Sequence, residues 1–390
     1  MGRRALCVAA TAAVALAVVG CGETSEPQAP EGSLTVYVSA PAHGAATRAG
    51  RGVLAGARRA LRDAGGRAGE RRIRLIALTA NRVGDDDWDP GTVEANAKRA
   101  AEDPRSVAYI GEVERGGSAV SLPRTNQADL LQVSPADGLT SLTRPPPGRP
   151  RAGPARYYPS ERRSFLRLVP SDLEISRTMI GLARGVPGRR IALVETVDFA
   201  QRELGGVLTA GLRRAGTPPV AGVAMRDAPD AVPGALDELT EARPDVVLVA
   251  GEPGPVTTAL LRGLTRRLPS ARLVGSPELV AERLPAAPDA LAATALLPAT
   301  AQPQRGRRLL ARLGPAVPPQ ALYGYDAMRL VLDAVASAGT DREAVIRSAL
   351  RPRRARGLTG SFRVLGGGEV SRSRLAVVSL TDGRVTLRAP

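Results

Sequence analysis

Arg190-Ile191-Ala192-Leu193-Val194-Glu195, then Gln201 to Ala215, then Val220 to Met225: the reading of this stretch decides the fold. Its first segment is a short, unbroken apolar run, which suits a strand buried on both faces. The second spaces Leu204, Leu208 and Leu212 four apart, one stripe of a helix. The third is a strand again. Downstream the alternation continues, with Val232 to Ala242 helical, Val246 to Ala250 extended, Val256 to Leu268 helical and Arg272 to Gly275 extended. Strand and helix in strict turn predict a parallel sheet covered on both faces.

The same rhythm runs upstream. Leu34 to Ser39 reads as a strand and Ala49 to Ala64 as a helix with Val53, Ala57, Ala60 and Leu61 on one face. Arg74 to Thr79 is a strand, and Gly91 to Glu102 a helix stopped at Asp103-Pro104. Val107 to Ile110 and Leu130 to Val133 are strands flanking a helix at Ser118 to Ala128. Between the halves, Arg144-Pro145-Pro146-Pro147-Gly148 through Pro159 cannot build regular structure. It reads as an exposed loop at the edge of the first half, with a linker between independent domains as the alternative.

The C-terminal part differs. Ala321 to Ala338 is an amphipathic helix carrying Tyr325, Met328, Leu332 and Val335 on one stripe. Asp341 to Leu350 follows, with Thr340 as the expected N-cap and Glu343 placed for a capping box. The tail is β: Ser361 to Leu365, a Gly366-Gly367-Gly368 turn, Leu375 to Leu380, an Asp382-Gly383 hairpin turn, and Val385 to Leu387. The fold class is therefore α/β, two Rossmann-like lobes with parallel sheets flanked by helices.

The N-terminus places the chain. Arg3 and Arg4 precede an apolar run from Ala5 to Val19, and Val18-Val19-Gly20-Cys21 closes it. The run is too short to span a bilayer and reads as a secretory signal over residues 1–20. The pattern resembles the bacterial lipoprotein lipobox, which implies that Cys21 is acylated and anchors the chain to the outer face of the cytoplasmic membrane. Residues 21–32 are polar, with Pro27 and Pro30, and read as a tether. Cys7 and Cys21 are the only cysteines, so no disulfide is available. The formal charge is +16, almost all from arginine, with Lys98 the single lysine. Basic residues are spread along the chain, aromatics are only 3%, and no recognition motif accompanies them, so nucleic acid is not the expected partner.

Catalytic and metal chemistry has little to work with. His43 is the single histidine, no Gly-x-Ser-x-Gly elbow is present, and Lys98 sits in no phosphate loop. Gly50-Arg51-Gly52 with Gly56 resembles a dinucleotide turn only faintly, and close helix–sheet packing explains it better. Asp85, Asp86, Asp87 and Asp89 lack calcium-loop spacing and read as a solvated acidic loop. No metal, cofactor or reaction is expected. What two α/β lobes offer is a cleft beyond the carboxyl ends of their strands, where helix N-termini present N–H groups. Its candidate walls are Pro41 to Gly44, Glu112 to Ser118, Ser134 to Gly138, Thr196 to Phe199, Gly251 to Gly254, and Ser276 to Glu278. The polar Ser134-Pro135-Ala136-Asp137 after an apolar strand is the best single candidate.

The chain resembles the type 1 periplasmic binding proteins of the leucine/isoleucine/valine-binding kind, the receptors of ABC importers. The resemblance covers roughly Ser33 to Leu387. It is carried by Trp88-Asp89-Pro90, Tyr109-Ile110-Gly111, Leu131-Gln132-Val133-Ser134-Pro135-Ala136, Phe165 through Asp172, Tyr323-Gly324-Tyr325-Asp326-Ala327, and Gly357-Leu358-Thr359-Gly360-Ser361-Phe362. It implies three chain crossings between lobes, near Pro170, Leu297 and Arg356. Lobe one would comprise residues 33–170 and 298–356, and lobe two 171–297 and 357–390. It also implies that a ligand carboxylate meets the loop Arg115, Gly116, Gly117 and Ser118, and that an ammonium meets the loop Ala136 to Gly138 and an acidic residue near Glu278, with Ser134 a further ligand-binding candidate. Phe199 stands near the family's aromatic-Gly pair, and Glu252 replaces a family aromatic. Arg115 would pair an anionic group, while Asp137, Glu252 or Glu278 would pair an ammonium. The expected partners are a small polar ligand, an ABC permease and the membrane through the lipid anchor. A sensory or scaffold lipoprotein on the same fold is the alternative, and a cell-wall enzyme a more distant one.

Overall fold

The computed structural model describes residues 32–44, 46–85, 88–196, 198–252, 254–280, 290–294, 296–372, 375–381 and 384–387. The secretory run, Cys21, Asp86, Asp87 and the Asp382-Gly383 turn lie outside them. Lobe one starts β1 (Leu34–Ala40), α1 (Thr47–Asp63), β2 (Arg67–Ala68), β3 (Arg71–Thr79), α2 (Pro90–Glu102), β4 (Ser106–Ile110), α3 (Ser118–Gln127), β5 (Leu131–Ser134) and β6 (Phe165–Arg167). Lobe two continues with α4 (Asp172–Arg184), β7 (Ile191–Thr196), α5 (Phe199–Arg214), β8 (Ala221–Met225), α6 (Val232–Glu241), β9 (Val246–Ala250), α7 (Pro255–Arg267), β10 (Arg272–Gly275) and β11 (Ala290–Thr294). The chain then adds α8 (Gln304–Leu313), α9 (Gln320–Ala338), α10 (Arg342–Leu350), β12 (Arg353–Gly357), β13 (Gly360–Leu365), β14 (Glu369–Arg372), β15 (Ala376–Thr381) and β16 (Arg384–Leu387).

The first sheet has the order β2-β3-β1-β4-β5-β6. It is parallel apart from the short antiparallel β2–β3 pair. β1 is buried along its whole length. Its alternation sends Val36 and Val38 to the face covered by α1, α9 and α10, and Tyr37 to the opposite face with Ala97 and Ala100 of α2. The second sheet runs β16-β15-β11-β10-β9-β7-β8. Its five strands from β8 to β11 are parallel, and β15 and β16 join antiparallel beyond β11. Val247 and Val249 pack under α6 and α7, while Val246, Leu248 and Ala250 face α4 and α5.

Of the α1 glycines, Gly50 lies against Pro41 at the end of β1, while Gly52 and Gly56 serve a helix rather than the sheet. A Cβ on Gly56 would lie 1.8 Å from the Ala321 carbonyl oxygen, and one on Gly324 would lie 2.0 Å from that of Val53. The two backbones thus approach to a distance that side chains forbid. α9 is consequently buried on more than its expected stripe, with Leu322, Tyr323, Ala327, Leu330 and Val331 also in the interior and Tyr325 only half-buried. The N-cap of α10 is Asp341, whose side chain accepts from Ala344 N at 2.7 Å, in place of Thr340.

Two further expectations change. Residues 357–372 were expected in lobe two. β12, β13 and β14 instead form a separate three-stranded sheet, and Phe362, Val364 and Val370 pack into the lobe-one core. The physical tie is direct, since Arg167 N donates to Gly368 O at 3.0 Å. The third crossing therefore follows β14, not Arg356. The proline-rich segment is short 3-10 turns, as its composition requires, but it is not simply exposed. Tyr157 and Tyr158 are buried against Leu122, Leu139, Leu142 and Phe165, with Ala200 from lobe two completing the cluster.

Candidate ligand-binding cleft

The loops that follow β4, β5, β7, β9 and β10 meet where the lobes face one another. On the lobe-one side, Ser134 ends β5 and organises the turn after it. Its Oγ accepts from Asp137 N at 2.8 Å and Ala136 N at 3.2 Å, and donates to Glu112 O at 2.8 Å. The Asp137 carboxylate then accepts from Gly116 N at 3.1 Å, Ser118 N at 3.0 Å and Leu139 N at 3.0 Å. It thereby sits at the N-terminus of α3, where unpaired N–H groups and the helix dipole favour an anion. Gly117 is the residue just before α3, and Ser118 Oγ accepts from Glu112 N at 3.2 Å.

Arg115 leaves this platform and reaches across. Its guanidinium lies 2.8 Å from Asp172 Oδ1, at the start of α4, and its Nε donates to Glu278 Oε1 at 2.9 Å. Both carboxylates belong to lobe two, and the Arg115 and Asp172 side chains are only 4% and 0% exposed. Burial alone would lower the Arg115 pKa, but Asp172, Glu278 and Glu252 together outweigh it and hold the guanidinium firmly charged. Asp172 is pushed up to about 7, chiefly by burial, with Arg115 acting in the opposite direction. Glycine at 138 makes room for this carboxylate: a Cβ there would lie 2.7 Å from Asp172 Oδ1.

Lobe two adds Gln201 and Glu252. Asp198 caps α5 by accepting from Gln201 N at 2.8 Å, which fixes the first turn of that helix. From there the fully buried Gln201 donates through Nε2 to Glu252 Oε1 at 2.6 Å. Burial and the neighbouring Glu278 raise Glu252 well above the ordinary carboxylate range.

The expected residues thus fall into two groups. Arg115, Gly116, Gly117, Ser118, Ser134, Ala136 and Asp137 come together as one lobe-one wall, but their charges are turned inward. Asp137, expected to face an ammonium, holds backbone N–H groups, and Arg115, expected to face an anion, holds carboxylates of its own chain. Glu252 and Glu278 share the lobe-two wall with Arg115 between the lobes. Phe199 contributes the first backbone turn of α5.

Sequence reasoning missed Asp172 and Gln201, and it placed Glu112 in a candidate wall without giving it a role. Asp172 could have been read as an acid in the first turn after Pro170-Ser171, and Gln201 as the residue three beyond a capping Asp198. Glu112 lies fully buried beneath the platform, accepting from Tyr109 Oη at 2.6 Å and Ser39 Oγ at 2.8 Å. Burial pushes its pKa up to about 7, against the lowering effect of those two hydroxyls. Arg167, also fully buried, supports the same wall by donating to Leu139 O at 2.8 Å and Thr143 Oγ1 at 2.7 Å. Among the described residues no group of three or more His, Cys, Asp or Glu is placed to hold a metal ion, and no helix is long and apolar enough to cross a membrane. Asp89 caps α2 through Thr92 N at 2.7 Å.

A sequence model of the family described as Periplasmic binding protein matches residues 34–383. No curated protein matches the chain in sequence. Among solved structures, it is similar to a leucine-binding protein, LivK, from Thermotoga maritima MSB8, with 20% identity and a TM-score of 0.74 over 91% of this chain and 98% of that one. It is also similar to an ABC transporter substrate-binding protein from Desulfitobacterium hafniense in complex with Leu, with 18% identity and a TM-score of 0.72 over 91% and 100%. A third is the solute-binding protein of an ABC transporter from R. palustris in complex with 4-hydroxybenzoate, with 13% identity and a TM-score of 0.74 over 91% and 95%. At such identities the likeness is one of fold.

Proposed function

The chain belongs to the periplasmic binding protein family, and from that membership we propose that it is an extracytoplasmic receptor delivering a small polar solute to the permease of an ABC importer. The observation that carries this reading is the convergence of charged side chains from both lobes at the carboxyl ends of their strands, with Arg115 reaching from one wall to Asp172 and Glu278 on the other. A site shared between lobes is one that hinge closure completes and hinge opening releases. The lobes are joined by three crossings, after β6, β11 and β14, which permits such a motion. Cys21 would carry the lipid that keeps the receptor beside its permease. The reading assigns the chain no reaction.

One observation favours a sensory or scaffold role instead: Arg115 is already paired within the chain. A thermal-shift screen of the purified full-length chain against amino acids, amines, carboxylates and sugars separates the two. A ligand bound only by the folded state raises the melting temperature. A shift of several degrees with one chemical class is expected. No shift with any class, on protein with a cooperative melt, would overturn the receptor reading and leave the scaffold.

A further inference from the structure

The two walls of the cleft differ in what they leave unsatisfied. On lobe one, the N–H groups of Gly116 and Ser118 are taken by Asp137, and Ser134 Oγ is taken by Ala136, Asp137 and Glu112. A ligand carboxylate arriving at the N-terminus of α3 would find another carboxylate already there. Like charges at that range repel, and the dipole can serve only one of them. The guanidinium that might have received the acid elsewhere is held by Asp172 and Glu278.

On lobe two, the carboxyl and amide atoms that are buried without a hydrogen-bond partner are acceptors. Asp172 Oδ2, Glu278 Oε2 and Gln201 Oε1 all stand so. Gln201 is the sharpest case, because its side chain is fully buried and its one amide nitrogen already points at Glu252. A buried acceptor left without a donor is costly, and a ligand N–H is what relieves it. The charges agree with the hydrogen bonds. Asp172, Glu252 and Glu278 are three carboxyl groups near enough to act on the one guanidinium of Arg115, and a second cation among them would draw Asp172 and Glu252 back toward their charged forms.

We propose that the cleft binds a small organic cation rich in N–H donors, an amine or guanidine with no acid group of its own, seated on Glu252, Glu278 and Gln201. This rests on the receptor reading above and narrows its ligand class. It also sets this chain apart from the neighbours that hold leucine and 4-hydroxybenzoate, since those ligands are carboxylic acids.

The test is isothermal titration of the purified full-length chain with five probes: agmatine, putrescine, leucine, 4-hydroxybenzoate and glucose. Agmatine or putrescine is expected to bind, and the others to stay silent. Glu252→Gln keeps shape while removing the carboxyl that a bound cation would draw into its charged form, and is expected to weaken that binding about tenfold. Binding of leucine or 4-hydroxybenzoate with the amines silent would overturn the cationic ligand and leave the receptor standing, as would binding of glucose alone. Amine binding that Glu252→Gln leaves unchanged would overturn the assigned seat. Silence from all five probes, on folded wild-type protein, would remove the cationic ligand and count against the receptor as well.

Discussion

The lobe-one wall of the cleft has its backbone N–H groups taken by its own side chains, and the lobe-two wall leaves buried acceptors open. Around α3 each named donor meets an acceptor from the same lobe, whereas Asp172, Gln201 and Glu278 carry acceptor atoms that no donor reaches. Arg115 is rooted in the first wall and spends its charge on the second, and Ser141 N of lobe one also donates to Glu203 Oε1 of α5 at 2.8 Å. The lesson is that a cleft can be preorganised on one side and hungry on the other. The preorganised side then fixes geometry, and the hungry side selects chemistry.

The harshest way to break this contrast is Arg115→Ala. It leaves two buried carboxylates facing one another with no cation between them. Removing one partner of a buried ion pair costs about 3–5 kcal/mol, so the urea midpoint should fall sharply. A midpoint unchanged within error would show that the walls are not joined through this residue. Asp137→Ala comes next. It strips acceptors from three backbone N–H groups, and charge-assisted bonds of this kind suggest a loss of about 2–3 kcal/mol. It should also open the α3 terminus to carboxylates, so that added acetate restores part of the lost melting temperature. Acetate without effect would mean that the terminus is closed by something other than Asp137.

The mildest effect concerns pH. Glu112 is raised to about 7 from an ordinary 4.5, and Asp172 to about 7 from 3.8, so each binds its proton more tightly in the folded than in the unfolded chain. Their favourable contribution is complete below the unfolded values and is lost as pH rises through about 7. Stability should therefore be greater at pH 5 than at pH 8. Glu112→Gln, which keeps shape without ionising, should flatten the curve and stabilise the chain by about 1–2 kcal/mol at pH 8. A variant whose curve runs parallel to the wild type would locate the titration elsewhere, with Asp172, Glu203 and Glu252, all raised by burial, the next candidates.

The elements that sequence disclosed best were those whose apolar period was long and whose neighbours were local. The strands at Val246 to Ala250 and Arg272 to Gly275 appear with the expected bounds. β12 escaped because its side chains are mostly arginine: Arg353-Arg354-Ala355-Arg356-Gly357 is alternately exposed and half-buried, and nothing in its composition suggests a strand. β6, at three residues, is too short for any period to register. Its role is set by a distant partner, the β14 segment, which also explains why residues 357–372 were placed in the wrong lobe. In the cleft, residue types were legible but their partners were not. Asp137 and Arg115 stood out as charged groups in the right loops, yet local spacing cannot show that an aspartate will bond backbone twenty residues before it. Nor can it show that an arginine will meet carboxylates from α4 and the segment after β10.

The strand order carries one more implication. Lobe one lacks α9 until residue 338 has been made, and lobe two lacks β15 and β16 until the chain is almost complete. Before α9 arrives, Gly52 and Gly56 of α1 lack the helix that packs against them. Each half therefore closes its core with segments far apart in sequence, a topology that slows folding relative to one built from local contacts.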